Sequence, residues 1–292
     1  MRCQIISAVV LTLLLVSCGE VSSPKEEAFV WKLNLNEPQG DSLSGDDFID
    51  ELEPLDLEER EAEIYAQILA GNLPAFLRQL TPIQFTENLH DTLYTVKFFV
   101  TPDYLSIGTD ENHVLMPMTP ILAQRVLDKI GGILPTPKMV DLIWKAASVK
   151  IQPEPIPPSS AMVTTPVFAQ HNALVREDRN ALLSEHPLGE LVSGHKKDVI
   201  LSNQIATKAD KVVIYGWHYL NGNPIQPVYA GHVNWYADYS HGIRPVFEKC
   251  EVNGIVMDIR QILGDIRLFQ LMSNESEAMS ISRYDTSAAN YP

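Results

Sequence analysis

Three of the eight histidines, His218, His232 and His241, fall within twenty-four residues, in a stretch that also carries Tyr215, Trp217, Tyr219, Tyr229, Trp235, Tyr236, Asp238 and Tyr239. Side chains able to do chemistry are concentrated nowhere else in the chain. Two chemistries fit these residue types. Two histidines and a carboxylate leave an open position on zinc, where a bound water becomes a nucleophile at neutral pH. His218, His232 and Asp238 are the candidate ligands, with His241 as acid or base. Alternatively, Asp238 orients His232 or His241 as a general base for water or for Ser240. Neither reading rests on a compact motif: the chain has no H-x-H, H-E-x-x-H or G-x-S-x-G. Trp217, Tyr219, Gln226, Trp235 and Tyr236 are the candidate wall of a substrate groove, since flat aromatic rings stack on sugars or hold a peptide. The same cluster also suits a buried hydrogen-bonded network that only fixes a sheet.

Spacing limits which of these groups can meet. A regular strand over Val233 to Tyr239 puts Asn234, Tyr236 and Asp238 on one face and Val233, Trp235, Ala237 and Tyr239 on the other. Continued back to Gly231, it puts His232 on the face of Asp238 but about 20 Å away at a rise of about 3.3 Å per residue. A bulge or turn is needed to join them, and His218 on a preceding strand is the expected cross-strand neighbour. Lys196, Lys197 and Asp198 fall at a strand start, where Lys197 could serve a site but the two lysines read first as a solvated pair. His90, His113, His171, His186 and His195 fall in expected loops and receive no role. Glu248 and Glu251 flank Cys250 and disfavour a thiolate there.

The first residues, Met1 and Arg2 followed by an apolar run from Ile5 to Val16, read as a secretory signal too short to span a bilayer as a mature helix. Leu15-Val16-Ser17-Cys18 resembles the lipobox of bacterial lipoproteins. That resemblance implies cleavage after residue 17, lipidation of Cys18 and a protein held to a membrane on the exported side of a bacterial envelope. Trp217-His218 and His232-x5-Asp238 resemble the ligand types of bacterial wall-cutting zinc peptidases related to D-Ala-D-Ala carboxypeptidases. The order of the two elements is reversed, so no role is carried over. From about Gly71 to Val246 the chain is similar to a group of secreted bacterial proteins with G-N-L-P-x-F-L-R, M-P-M-T-P, P-T-P-K-M-V-D, Y-G-W-H and D-Y-S-H-G segments, a likeness that implies no activity.

Charge and composition set the organisation. Of the net charge of -15, ten units lie between Asp41 and Glu63, where eleven carboxylates meet only Arg60. This segment reads as a self-repelling tether, and the nearly balanced remainder lacks the basic stripe of a nucleic-acid binder. Cys250 is the one cysteine left in the body, so no disulfide supports it. The expected plan is a signal at 1–17, a lipid-anchored linker at 18–45, an acidic entry at 46–63, a body to 292 with a Pro-rich seam at 150–160, and a fraying tail from 273. Within the linker, Phe29, Trp31, Leu33 and Leu35 alternate as one short docking strand would.

The body reads as α+β, a helical N-terminal half with a few strands followed by an antiparallel C-terminal sheet. Helices are expected at Leu57 to Leu69, closed by Gly71, and at Ala75 to Leu80. Two more follow Thr119-Pro120 and Thr136-Pro137, each with a threonine cap before a proline. Further helices are expected at Ala169 to Leu183 and Met257 to Leu263. Expected strands are Thr92 to Val100, Tyr104 to Ile107, Val114 to Met116, Lys197 to Leu201, Val212 to Tyr219, Ile225 to Tyr229, Val233 to Tyr239 and Ile243 to Phe247. Asn221-Gly222 and Asn253-Gly254 mark tight turns.

The chemistry these elements position is an expected hydrolysis of a cell-wall glycan, peptide or other external polymer. The other class is a lipoprotein that only binds glycan or a protein partner through its aromatic face.

Overall fold

A computed structural model describes residues 29–38 and 43–287. The signal segment and Cys18 lie outside the described residues. The acidic segment is not a free tether: from residue 43 onward it is part of the packed body. Ser44 caps α1 (Gly45–Leu52) by accepting from the Asp47 amide, and Phe48, Ile49 and Leu52 are buried while Asp46, Asp47, Asp50 and Glu51 face outward. Asp56 and Glu59 form a capping box that starts α2 (Leu57–Ala70), which Gly71 ends in the left-handed conformation. Helical periodicity separates the carboxylates from the apolar stripe, so self-repulsion is met by water rather than by unfolding. Glu61 is the exception. It is buried and accepts from the backbone N and the Oγ1 of Thr119 at 2.7 and 2.8 Å, tying α2 to the start of a later helix.

Strand β1 (Thr81–Leu89), absent from the expected strands, pairs antiparallel over its whole length with β2 (Thr92–Val100). His90 and Asp91, both at positive φ, make the two-residue turn whose twist suits a hairpin. A short hairpin of β3 (Ser106–Gly108) and β4 (His113–Leu115) follows. The two Thr-Pro signals then deliver α3 (Pro120–Ile130), the short β5 (Gly132–Ile133) and α4 (Pro137–Ala146), with Thr119 and Thr136 accepting from the Leu122 and Met139 amides. After β6 (Val149–Lys150) and the proline-rich crossing comes α5 (Thr165–Ala181).

The second half holds β7 (Val192–Ser193), β8 (Lys197–Val199), α6 (Gln204–Thr207), β9 (Ile214–His218), β10 (Pro224–Tyr229), β11 (His241–Gly242), β12 (Val246–Phe247), β13 (Lys249–Val252), β14 (Ile255–Asp258) and α7 (Ile259–Gly264). The fold is α+β with an antiparallel sheet in the C-terminal half. One sheet runs β14-β13-β2-β12-β5 with β1 on the other edge of β2. The other runs β10-β9-β8-β11 and is antiparallel except for the β8–β11 pair.

From Trp31 onward the chain forms one compact unit. Trp31 stacks on Phe99 with ring centroids 4.1 Å apart, and Leu33 is buried, without a strand being formed. The tail expected to fray is also docked as far as it is described. Met279 and Tyr284 are buried, and the Tyr284 hydroxyl donates to the Ile200 carbonyl and accepts from the Val213 amide. Arg244, fully buried, donates to the carbonyls of Thr101 and Val192 and lies 4.0 Å over the Tyr104 ring.

Candidate functional site

The site is built on β8. Lys197 is paired with Gly216 of β9 on one side and with His241 of β11 on the other. On β9, Gly216 and Trp217 are consecutive residues at positive φ, 104° and 59°. For Trp217 that conformation costs about 1–2 kcal/mol. The two reversals break the alternation of the strand. Trp217 is buried with the Lys197 ammonium 5.0 Å from its ring centroid.

His218 is consequently sent elsewhere. Its Nε2 donates to Asp141 Oδ1 at 3.1 Å, an oxygen that also accepts from the Tyr215 hydroxyl at 2.8 Å, and its ring stacks on Trp144 of α4. It does not join His232, Asp238 and His241.

The expected strand over Val233 to Tyr239 is absent. Apart from an isolated bridge between Lys211 and Val233, this segment is a series of turns. Asp238 Oδ1 accepts from the backbone N and the Oγ of Ser240, an Asx turn that competes with strand pairing. These turns supply the reversal that the spacing of His232 and Asp238 demanded. His232 stacks on Tyr236 with centroids 4.2 Å apart, the Tyr236 hydroxyl donates to Asp238 Oδ2 at 3.0 Å, and His241 Nε2 lies 4.0 Å from that same oxygen.

The expected solvated lysine pair is not found: Lys196 is buried and Lys197 is half-buried. Lys196 is 1 % exposed, and its Nζ donates to the Tyr239 carbonyl at 2.5 Å and lies 3.2 Å from His171 Nδ1. His171, on the buried stripe of α5 with Phe168 and Val175, sits against the rings of Trp217 and Tyr239. His195, also given no role from sequence, is buried against Asp103, 3.0 Å from Nε2 to Oδ1. Asp198 accepts from the Tyr104 hydroxyl at 2.9 Å. A signal for this set exists in the sequence: the polar run His195-Lys196-Lys197-Asp198 is enclosed by Leu191-Val192 and Val199-Ile200-Leu201, a context that buries it. His171 shares helical spacing with apolar residues, which places it inward as well.

Burial governs the electrostatics. It lowers the pKa of His241 to about 4, against the raising effect of Asp238, and that of His171 to about 2, with the Lys196 charge adding to the shift. Burial also lowers Lys196 to about 7, only partly offset by Asp238 and Asp103. For Asp238 burial acts upward, but the His241 and Lys197 charges and the Ser240 donors outweigh it and hold the carboxyl at about 2. At neutral pH the site therefore contains an ionised Asp238, neutral imidazoles and an ammonium at Lys196 that gives up its proton easily. Both ring nitrogens of His241 and the Nε1 of Trp217 are buried with no hydrogen-bond partner among the described residues.

A cleft of about 420 Å³ opens beside the cluster, lined by Arg60, Ser160, Met162, Trp235 and Tyr236 among others. Tyr236 forms its wall and also contacts His232, Asp238 and His241. The expected groove is divided by the fold. Trp235 and Tyr236 line this cleft, Trp217 is in the interior, and Tyr219 and Gln226 lie on and beside the β9–β10 turn, where the Gln226 amide donates to the Pro227 carbonyl. Asp103 and Asp141 open onto two other hollows, of about 190 and 520 Å³.

Among the described residues no group of three or more His, Cys, Asp and Glu side chains stands where it could hold a metal ion, and the expected set of His218, His232 and Asp238 is parted by the turn of His218 to Asp141. No helix among them is long and apolar enough to cross a membrane. Comparison with known proteins finds no matching family model, no matching curated protein and no matching solved structure.

Proposed function

We propose that the protein is an exported, lipid-anchored hydrolase of a cell-envelope or extracellular polymer, peptidoglycan or polysaccharide, with Asp238 and His241 as its reacting pair. One observation carries this reading. A neutral histidine with both nitrogens unpartnered lies against an ionised carboxylate, one ring deep from an aromatic-lined cleft. Buried ring nitrogens without partners are costly unless something else supplies their hydrogen bonds. In the proposed step His241 takes a proton from water as the water oxygen attacks the substrate, and the leaving group takes that proton back. Asp238 stabilises the imidazolium between the two transfers. Substrate reaches His241 when Tyr236 swings aside, at the expense of its bond to Asp238.

A second reading, non-catalytic binding of glycan or a protein partner, is favoured by the half-exposed Trp235 at the mouth of the same cleft. One experiment separates the two. Purified protein is incubated with peptidoglycan sacculi and with soluble polysaccharides, and products are followed by liquid chromatography and mass spectrometry. Products from the wild type that vanish in Asp238→Asn and His241→Ala support hydrolysis. Co-sedimentation with sacculi without products supports binding alone, and neither result removes both readings. Elemental analysis of the same preparation tests the zinc chemistry, which needs about one bound equivalent.

A further inference from the structure

We propose that Lys197 and the indole N–H of Trp217 form an oxyanion subsite beside Asp238 and His241, which receives a carboxylate or phosphate group of the polymer. The proposal rests on the hydrolase reading for the identity of the polymer, but not for the subsite itself. An indole nitrogen can only donate, and that of Trp217 is buried with no acceptor among the described residues. The Lys197 ammonium, also donor only, is half-buried over the same ring and has neither a hydrogen bond nor an ion pair among the described residues. The carboxylate that acts on Lys197, Asp238, does not answer them. Asp238 is already engaged by the Ser240 N and Oγ and by the Tyr236 hydroxyl.

Electrostatics is compatible with a second anion at Lys197, on which Asp238 is the one carboxylate that acts, while burial keeps His171, His232 and His241 toward their neutral forms. Two donors without acceptors favour a ligand that brings acceptors, and the ammonium favours one that brings negative charge. The backbone adds an independent sign. Trp217, whose ring lies 5.0 Å from the Lys197 ammonium, holds a positive φ of 59°, and backbone strain of this kind clusters at sites where it is used.

The four indole N–H signals of the uniformly ¹⁵N-labelled full chain provide the readout, with Trp217→Phe assigning one of them. Titration with sodium acetate or inorganic phosphate is expected to move the Trp217 signal downfield to saturation, while acetamide, which is neutral, leaves it within a tenth of that shift. A preference of tenfold or more for acetate identifies a carboxylate subsite, and the reverse preference a phosphate one. Lys197→Met should weaken binding at least tenfold, with the other three indole signals unmoved as the control for folding. Asp238→Asn should bind the anion as well as or better than the wild type while losing hydrolysis, so failure of the enzyme reading and failure of the subsite are seen separately. A Trp217 signal that does not respond to either anion, or that responds equally in Lys197→Met, overturns the proposal.

Discussion

Acid should destabilise this protein through histidines that the fold keeps neutral. The ordinary imidazole value is 6.5, and burial lowers His241 to about 4 and His171 to about 2. A base with a depressed folded pKa takes up a proton on unfolding throughout the window between the two values, so stability falls as pH drops below 6.5. Between pH 7 and pH 5 the linkage amounts to about 2 kcal/mol for each of the two residues, because both windows are still open at pH 5. Asp198 acts oppositely. Burial raises its carboxyl to about 6, and proton binding by the folded state there returns about 1 kcal/mol over the same range. The expected net loss is about 3 kcal/mol, a large part of the stability of a typical domain. Asp103 and Asp238, both held at about 2, contribute almost nothing until pH falls below 4, since unfolded carboxylates are still ionised at pH 5. Urea unfolding followed by circular dichroism at pH 7 and pH 5 measures the difference, and His241→Asn should shrink it by about 2 kcal/mol. Equal stability at the two pH values, or an unchanged difference in His241→Asn, refutes the assignment of neutral buried imidazoles.

Trp31→Ala removes the stack on Phe99 and the edge contact with Phe247 and should cost about 2 kcal/mol in the same urea assay, less than a fully buried tryptophan because the ring is partly exposed. Cys250 is buried, and burial with Asp258 and Glu251 pushes its thiol up to about 12, so mass spectrometry should find it unlabelled by iodoacetamide at pH 8 until urea unfolds the chain. Cys18→Ser should move the protein from the membrane pellet to the soluble exported fraction when cells are fractionated, and undiminished pelleting would remove the anchor.

The helices were legible where a local signal sufficed. Thr119-Pro120 and Thr136-Pro137 mark their helices because a cap and a proline act within one turn, and Asn221-Gly222 marks a hairpin because its geometry is carried by two residues. The site was legible only in part, because its geometry comes from departures from periodicity. The His232, Asp238 and His241 group was visible as a composition, but the turns that assemble it arise from the Asp238 side chain outcompeting a strand ladder. His218 was misplaced because alternation assumes a regular strand, and the positive φ of Trp217 is not encoded by a glycine at that position. Lys196 and His171 went unassigned for another reason. Lysines are rarely buried, and contacts with two segments distant in sequence, α5 and the Asx turn, hold this one as an interior residue.

Arg244 has a consequence for how the chain reaches this state. Its two carbonyl partners, on Thr101 and Val192, are 143 and 52 residues away in sequence, and the charge is fully buried. Any partly assembled form that closes around the guanidinium without both partners would carry an uncompensated ion in its interior, at a cost of several kcal/mol. Such forms are penalised more heavily than either the open chain or the finished structure. The residue thus acts on the folding reaction as well as on the folded state, depleting intermediates and making the joining of the two halves an all-or-none event.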